Sequence, residues 1–153
     1  MKIHIVLDNI RSVFNVGSIF RSADGAGYVE KIYLCGITTP IDNPKLEKTA
    51  LGATEMIKSE HYDTTQEALE EIEDLGIPIY SIEIGENAEN FQKIKYPNEI
   101  AIIFGHEKKG ISEEIINKYC DKEIMIPMRG MKESLNVANC ATAILYEITR
   151  NAD

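Results

Sequence analysis

The sequence predicts an α/β domain: a mainly parallel sheet flanked by helices. Three observations carry that reading. Strand-like and helix-like segments alternate along the chain, the pattern of β-α-β units. Glu99 to Phe104 is nearly all apolar, as in a strand covered on both faces. Three unusual loops each follow an apolar run and lead into a helix, the arrangement that builds one site at the ends of parallel strands.

The elements follow in order. Residues 2–7 alternate, with Ile3, Ile5 and Leu7 apolar, a strand signal. From Asn15 to about Gly27, Val16, Ile19, Phe20, Ala23 and Ala26 recur at helical spacing, and Gly27 can end the helix. Lys31 to Cys35 is a second strand. Asn43-Pro44 starts a short helix to about Leu51, a cap followed by proline in the first turn. Thr64 to Glu67 is a capping box. The helix after it buries Ala68, Leu69, Ile72 and Leu75, and Gly76 and Pro78 stop it. Pro78 to Ile84, Glu99 to Phe104 and Lys122 to Ile126 are further strands. Ser112 caps a helix whose first turn carries Glu113 and Glu114, favourable against the helix dipole. The last helix runs from about Leu135 to Asn151, with Val137, Ala141, Ile144, Leu145 and Ile148 on one side. The connection from about Glu86 to Asn98 carries no clear pattern.

The 153 residues fit one domain, and a 44% hydrophobic content supplies a core. No apolar run approaches the ~20 residues of a membrane-spanning helix, so no membrane partner is expected. The first residues are too short and polar a stretch for a secretory signal. Cys35, Cys120 and Cys140 are widely spaced and offer no metal cage; buried reduced thiols in a cytoplasmic protein are the expectation. The net charge of -9 is unevenly spread: ten carboxylates and no Lys or Arg lie between Glu60 and Asn90, leaving fifteen acids against all sixteen bases elsewhere. Glu67 to Asp74 is a solvated helix face. Arg11, Arg21, Lys45, Lys48, Lys108, Lys109, Arg129 and Lys132 lie near the three loops. An acidic flank with a locally basic mouth is compatible with a polyanionic substrate.

The loops are Asn15 to Arg21, Gly105 to Ser112, and Ile126 to Gly130 running into Ser134 to Val137. They resemble the three motifs of the SPOUT superfamily, in its TrmH-type branch of RNA ribose 2'-O-methyltransferases. The first motif is Asn-x-Gly-x-x-x-Arg, here Asn15, Gly17 and Arg21; the second is Gly-x-Glu-x-x-Gly, here Gly105, Glu107 and Gly110; the third is Ile-Pro-Met followed by Ser-Leu-Asn-Val. The resemblance spans almost the whole chain and implies a C-terminal trefoil knot, a homodimer with the knot near its interface, and S-adenosylmethionine as cofactor. It implies one domain over 1–153 without the N-terminal RNA-binding extension of many relatives, and tRNA or rRNA as substrate. An accessible ribose in a splayed loop favours tRNA.

By that resemblance, Gly105, Glu107, Gly110, Ile126, Met128, Ser134 and Leu135 line the cofactor pocket, with Ile82 as a further wall. Arg21 activates the ribose 2'-hydroxyl. Because a guanidinium is effectively always protonated, two roles stand for it: general base, or binder of the adjacent phosphate and stabiliser of the developing alkoxide. Asn15 orients Arg21 or the substrate. Glu107 and Asn136 complete the polar shell, and Ser134 contacts Arg21, the phosphate or the cofactor. Taken singly, Asn15 and Ser134 also suit helix caps.

Other functions fit less well. A phosphate loop at Gly105 to Ser112 fails because Ile111 stands where lysine is required. A dinucleotide site at Gly25-Ala26-Gly27 lacks its third glycine and ends a helix where it should begin one. His4, His61 and His106 form no nucleophile arrangement with Ser or Cys. A catalytically inactive RNA-binding or assembly protein on the same fold is the alternative to the methyltransferase.

Overall fold

Ile3, Ile5 and Leu7 are wholly buried in the interior strand β1 (Lys2–Asp8). The computed structural model describes residues 1–152; the domain expected over 1–153 extends one residue beyond them. Around β1 lie β2 (Val29–Cys35), β3 (Ser59–Tyr62), β4 (Ile79–Ile82), β5 (Glu89–Asn90), β6 (Glu99–Phe104) and β7 (Lys122–Met125). They form one seven-stranded sheet in the order β3-β2-β1-β6-β4-β7-β5. Each registered pair is parallel.

Both faces are covered. On one, helix α1 (Val13–Ala26) and the last helix, α6 (Val137–Thr149), bury Phe20, Ile144 and Leu145 against Ile3, Ile5, Ile102 and Phe104. On the other, α4 (Thr65–Asp74) and α5 (Glu113–Tyr119) bury Leu69, Ile72, Ile115 and Tyr119 against Val6 and Ile103. Each buried large aliphatic side chain contributes about 1.5–3 kcal/mol. Two four-residue helices, α2 (Glu47–Ala50) and α3 (Ala53–Met56), pack beside α1. Asn43 caps the 3-10 turn Pro44–Leu46 just before them, accepting from the Lys45 amide at 3.0 Å.

Several boundaries differ from expectation. Helix α1 starts two residues early because Ser12 is its cap, its Oγ accepting from the Asn15 amide at 3.2 Å. Asn136, not Ser134, caps α6, accepting from the Ala138 and Asn139 amides. Leu75 is 63% exposed: it lies just past α4, where the chain has left the apolar stripe. Strands β3 and β5 were not anticipated. Their sequences, SEHY and EN, are polar, because each lies at an edge of the sheet, where little apolar burial is needed. Part of the acidic run is paired: buried Lys31 bonds Glu60 at 2.7 Å and Glu71 at 3.3 Å. The carboxylates of α4 are exposed, as expected.

The order of strands places the site. β1 is flanked by β2 on one side and by the much later β6 on the other. That reversal brings the loop after β1 against the loop after β6, and such a crevice is where open parallel sheets bind ligands.

Candidate functional site

The three loops meet at one junction. The Glu107 carboxylate accepts the Arg11 amide at 3.0 Å, the Ser12 amide at 3.0 Å and the Asn15 side-chain amide at 3.2 Å. The Asn15 side-chain oxygen Oδ1 in turn accepts from the Asn136 side-chain amide at 3.1 Å. Glu107, Asn15 and Asn136 thus join residues 92 and 121 positions apart in the chain. Asn136 does two jobs: its amide nitrogen reaches Asn15 while its oxygen caps α6. Glu107 is an anion at the start of α1, where the helix dipole and free amides favour negative charge. Burial opposes its charge, but the amides of Ser12 and Arg11, its own amide and the Asn15 side chain hold the carboxyl below the usual range. It is therefore a poor proton acceptor and a good clamp.

Beside the junction opens a cleft of about 980 Å³. All eight residues expected to hold the cofactor line it: Ile82, Gly105, Glu107, Gly110, Ile126, Met128, Ser134 and Leu135. Asn136 lines it too. The cleft lies at the carboxyl ends of β4, β6 and β7, three adjacent strands, and its lining mixes apolar side chains with charged and polar ones such as Glu83, Lys108, Lys132 and Glu133.

The glycines have different duties. A Cβ on Gly105 would stand 2.7 Å from the Gly110 carbonyl carbon and the Ile111 nitrogen, so the strand end and the loop touch backbone to backbone. Gly110 has φ +65°, a conformation that disfavours other residues. Gly17 serves packing instead: its Cβ would stand 2.8 Å from the Leu46 carbonyl oxygen, so it lets α1 approach the turn before α2. His106, unassigned from sequence, shapes the loop, its Nδ1 accepting from the Lys108 and Lys109 amides at 3.1 and 3.2 Å. Lys108 and Lys109 are both exposed, and Lys108 also lines the cleft.

Arg21 is the exception to convergence. It does not line the cleft, and it is exposed on α1, where no described residue bonds its guanidinium. Six residues beyond Asn15, it lies about 9 Å further along the helix axis. Its face of α1 also carries Phe14, 50% exposed, and Gly25, whose Cβ would stand 3.0 Å from the hydroxyl of Tyr146, itself 52% exposed. This strip spans the α1–α6 contact, which Ser22 and Thr142 join by a 2.6 Å hydroxyl pair.

Sequence reasoning missed one cleft residue of consequence. Glu83 follows β4, lines the cleft and accepts the Ile111 amide at 2.9 Å; no motif marks it. Among the described residues no group of three or more His, Cys, Asp or Glu is placed to hold a metal, and no helix is long and apolar enough to cross a membrane. Of the cysteines expected to be buried, Cys35 is, whereas Cys120 and Cys140 are only partly so; desolvation foremost pushes the thiols of Cys35 and Cys140 up to about 12 and that of Cys120 to about 11, which disfavours the thiolate.

Comparison with known proteins gives concordant matches. The model of the SpoU rRNA Methylase family matches residues 2–146. A tRNA (guanosine(18)-2'-O)-methyltransferase of Thermus thermophilus is 31% identical over 95% of this chain and 73% of its own. The solved A. aeolicus TrmH/SpoU tRNA modifying enzyme superposes with a TM-score of 0.84 at 29% identity, over 97% of this chain and 74% of its own. The SpoU methyltransferase AviRb from Streptomyces viridochromogenes, solved in complex with the cofactor AdoMet, gives a TM-score of 0.88 at 26% identity, over 99% of this chain but 60% of its own.

Proposed function

Because the chain belongs to the SpoU rRNA Methylase family, we propose that it transfers a methyl group from S-adenosylmethionine to a ribose 2'-hydroxyl of RNA. The observation that carries this reading is the junction: Glu107, Asn15 and Asn136 lock the three motifs around one cleft. The cleft fits the cofactor. Gly105 and Gly110 let the loop close tightly on the strand end and on Glu83, Ile82, Ile126, Met128 and Leu135 offer apolar walls, and the volume suits a nucleoside-sized molecule. The solved relative carrying AdoMet supports the same cofactor.

The cofactor supplies an electrophilic methyl carbon on its sulfonium. Gly105, Gly110, Ile126, Met128, Ser134 and Leu135 hold it, and Ile82 bounds the pocket. Placement supplies a large share of the rate. Glu107 and Asn136 keep the loops in register and orient Asn15. The role that fits Arg21 is electrostatic: a fixed cation beside the hydroxyl and its phosphate stabilises the oxygen as it gives its proton to solvent.

Arg21 reaches the reacting ribose by way of a second subunit. Its exposed strip with Phe14 and Tyr146 supports a homodimer across α1 and α6, which would bring the guanidinium of one protomer to the cleft of the other. The insertion of β6 between β1 and β4 supports a trefoil knot in the C-terminal half. A tRNA is the proposed substrate, supported by the names of the T. thermophilus and A. aeolicus relatives, and the cytoplasm is the compartment where such RNA is met. The test is radiolabel transfer from S-adenosylmethionine to bulk RNA, followed by mass spectrometry of nucleosides. A 2'-O-methylnucleoside dependent on this protein supports the reading. RNA binding with neither cofactor binding nor transfer would favour the inactive assembly protein instead.

A further inference from the structure

The cleft contains a carboxylate that the three motifs do not explain. Glu83 is half-buried at the end of β4, and its own amide extends the ladder by donating to the Ile124 carbonyl at 3.1 Å. Its backbone is thus fixed by the sheet. Its side chain is fixed as well, because Oε2 accepts the Ile111 amide at 2.9 Å. The next residue back, Gly110, is shaped around it: a Cβ there would run into the carboxylate, lying 3.0 Å from Cδ. Glu83 therefore has one orientation, set by strand and loop together.

Lys108 and Lys132 line the same cleft as Glu83, but neither is held against it. No described cation forms an ion pair with it, and Oε1 takes no hydrogen bond from a described residue. Its one protein donor is a neutral amide. A charge held partly out of water is costly unless it is paired. Two other carboxylates line the cleft, Glu107 and Glu133; Glu107 has both oxygens occupied by the residues that open α1. An anchored carboxylate with an open acceptor, facing a ligand cleft, matches a ligand bearing donors or positive charge.

We infer that Glu83 is a cofactor-binding residue, whose free oxygen accepts a hydrogen bond from a donor group of S-adenosylmethionine. This rests on the methyltransferase reading, in which the cleft holds that molecule. The donor is either a ribose hydroxyl or the ammonium of the methionine moiety; both offer N–H or O–H to a carboxylate. Glu83 also tethers the loop through Ile111, so a binding role must be separated from a merely structural one.

Calorimetry on the full chain separates them. Glu83→Gln keeps a carbonyl oxygen for the Ile111 amide and removes the charge. Glu83→Ala removes both. Each is titrated with S-adenosylmethionine, with S-adenosylhomocysteine, which keeps the ammonium but has a neutral sulfur, and with 5'-methylthioadenosine, which keeps the ribose but has neither the ammonium nor a charged sulfur. The Gln variant is expected to melt close to the wild type while binding S-adenosylmethionine about ten- to a hundredfold more weakly, the scale of a lost charged hydrogen bond. Equal weakening for all three ligands assigns the contact to the ribose; weakening for S-adenosylmethionine and S-adenosylhomocysteine but not for 5'-methylthioadenosine assigns it to the ammonium. Weakening for S-adenosylmethionine alone reflects lost attraction to the sulfonium charge without a hydrogen bond and overturns the inference, as does unchanged affinity of Glu83→Gln for all three with weakening only in Glu83→Ala, which leaves Glu83 as a tether. Absence of binding by the wild type would instead overturn the cofactor assignment, and this inference with it.

Discussion

Adding one methyl group at Gly105 tests whether the cleft depends on backbone contact. In Gly105→Ala the new Cβ lies 2.7 Å from two backbone atoms, the Gly110 carbonyl carbon and the Ile111 nitrogen, and 2.6 Å from Ile111 Cγ1. The side-chain contact could relax by rotation. The backbone contacts cannot, because Ile111 is pinned by Glu83 at 2.9 Å and its side chain is only 6% exposed. The loop must move by several tenths of an ångström or the strand end must tilt. Overpacking of this kind costs about 1–3 kcal/mol. For a chain of this size each kcal/mol lowers Tm by about 2–4 °C, so a fall of roughly 2–12 °C is expected. The displaced loop also narrows the cleft, and S-adenosylmethionine should bind at least about tenfold more weakly, or about 1.4 kcal/mol. Thermal melting by circular dichroism and calorimetric titration measure the two effects. A Tm within about 1 °C of wild type together with unchanged affinity would refute the close approach on which the cleft is built.

Arg21→Ala should abolish methyl transfer while leaving cofactor affinity within about twofold, because Arg21 does not line the cleft; if Arg21 acts across a dimer, mixing Arg21→Ala with Gly105→Val, whose branched side chain blocks the cleft outright, should restore about a quarter of wild-type activity through mixed dimers, whereas a cis arginine predicts no recovery. Asn15→Ala and Asn136→Ala, with the double variant, should show a coupling of about 0.5–1.5 kcal/mol in urea denaturation, and additivity would mean that their 3.1 Å bond holds nothing. The Glu107 carboxyl is held below the usual range, so its stabilising contribution is present above the ordinary glutamate value of about 4.3 and is lost as pH falls through the lower folded value. Glu107→Gln should therefore flatten stability against pH below about 4.3, and an acid limb identical to the wild type's would remove Glu107 from that linkage.

The fold was legible where burial dictates residue choice. The apolar run Glu99 to Phe104 matches β6 residue for residue, since a strand covered on both faces tolerates little else. Thr64 and Ser112 also cap helices as read, each accepting the amide three residues on. Edge strands β3 and β5 were invisible because pairing alone forms them. Helix starts slipped where two polar residues competed for one cap: Ser12 prevailed over Asn15, and Asn136 over Ser134. The asparagines had further partners, and a one-dimensional pattern cannot show that Asn136 caps a helix and bonds Asn15 together. The cleft lining was legible because the loops carry recognisable motifs. Glu83 was not, since its partner Ile111 is 28 positions away and bonds through its backbone, which leaves no mark on residue type. Arg21 was legible as a motif residue, but its place was not: six residues of helix carry it along the axis and away from Asn15, so its distance from the cleft within one chain shows only in three dimensions.

Hydrogen exchange measured by mass spectrometry, with and without S-adenosylmethionine, tests most directly whether distant segments form one binding site. The account predicts slowed exchange in both Gly105–Ser112 and Ile126–Val137, with Glu60–Asp74 unaffected. Cofactor-induced protection that spared either loop, or that fell chiefly on α4, would contradict it.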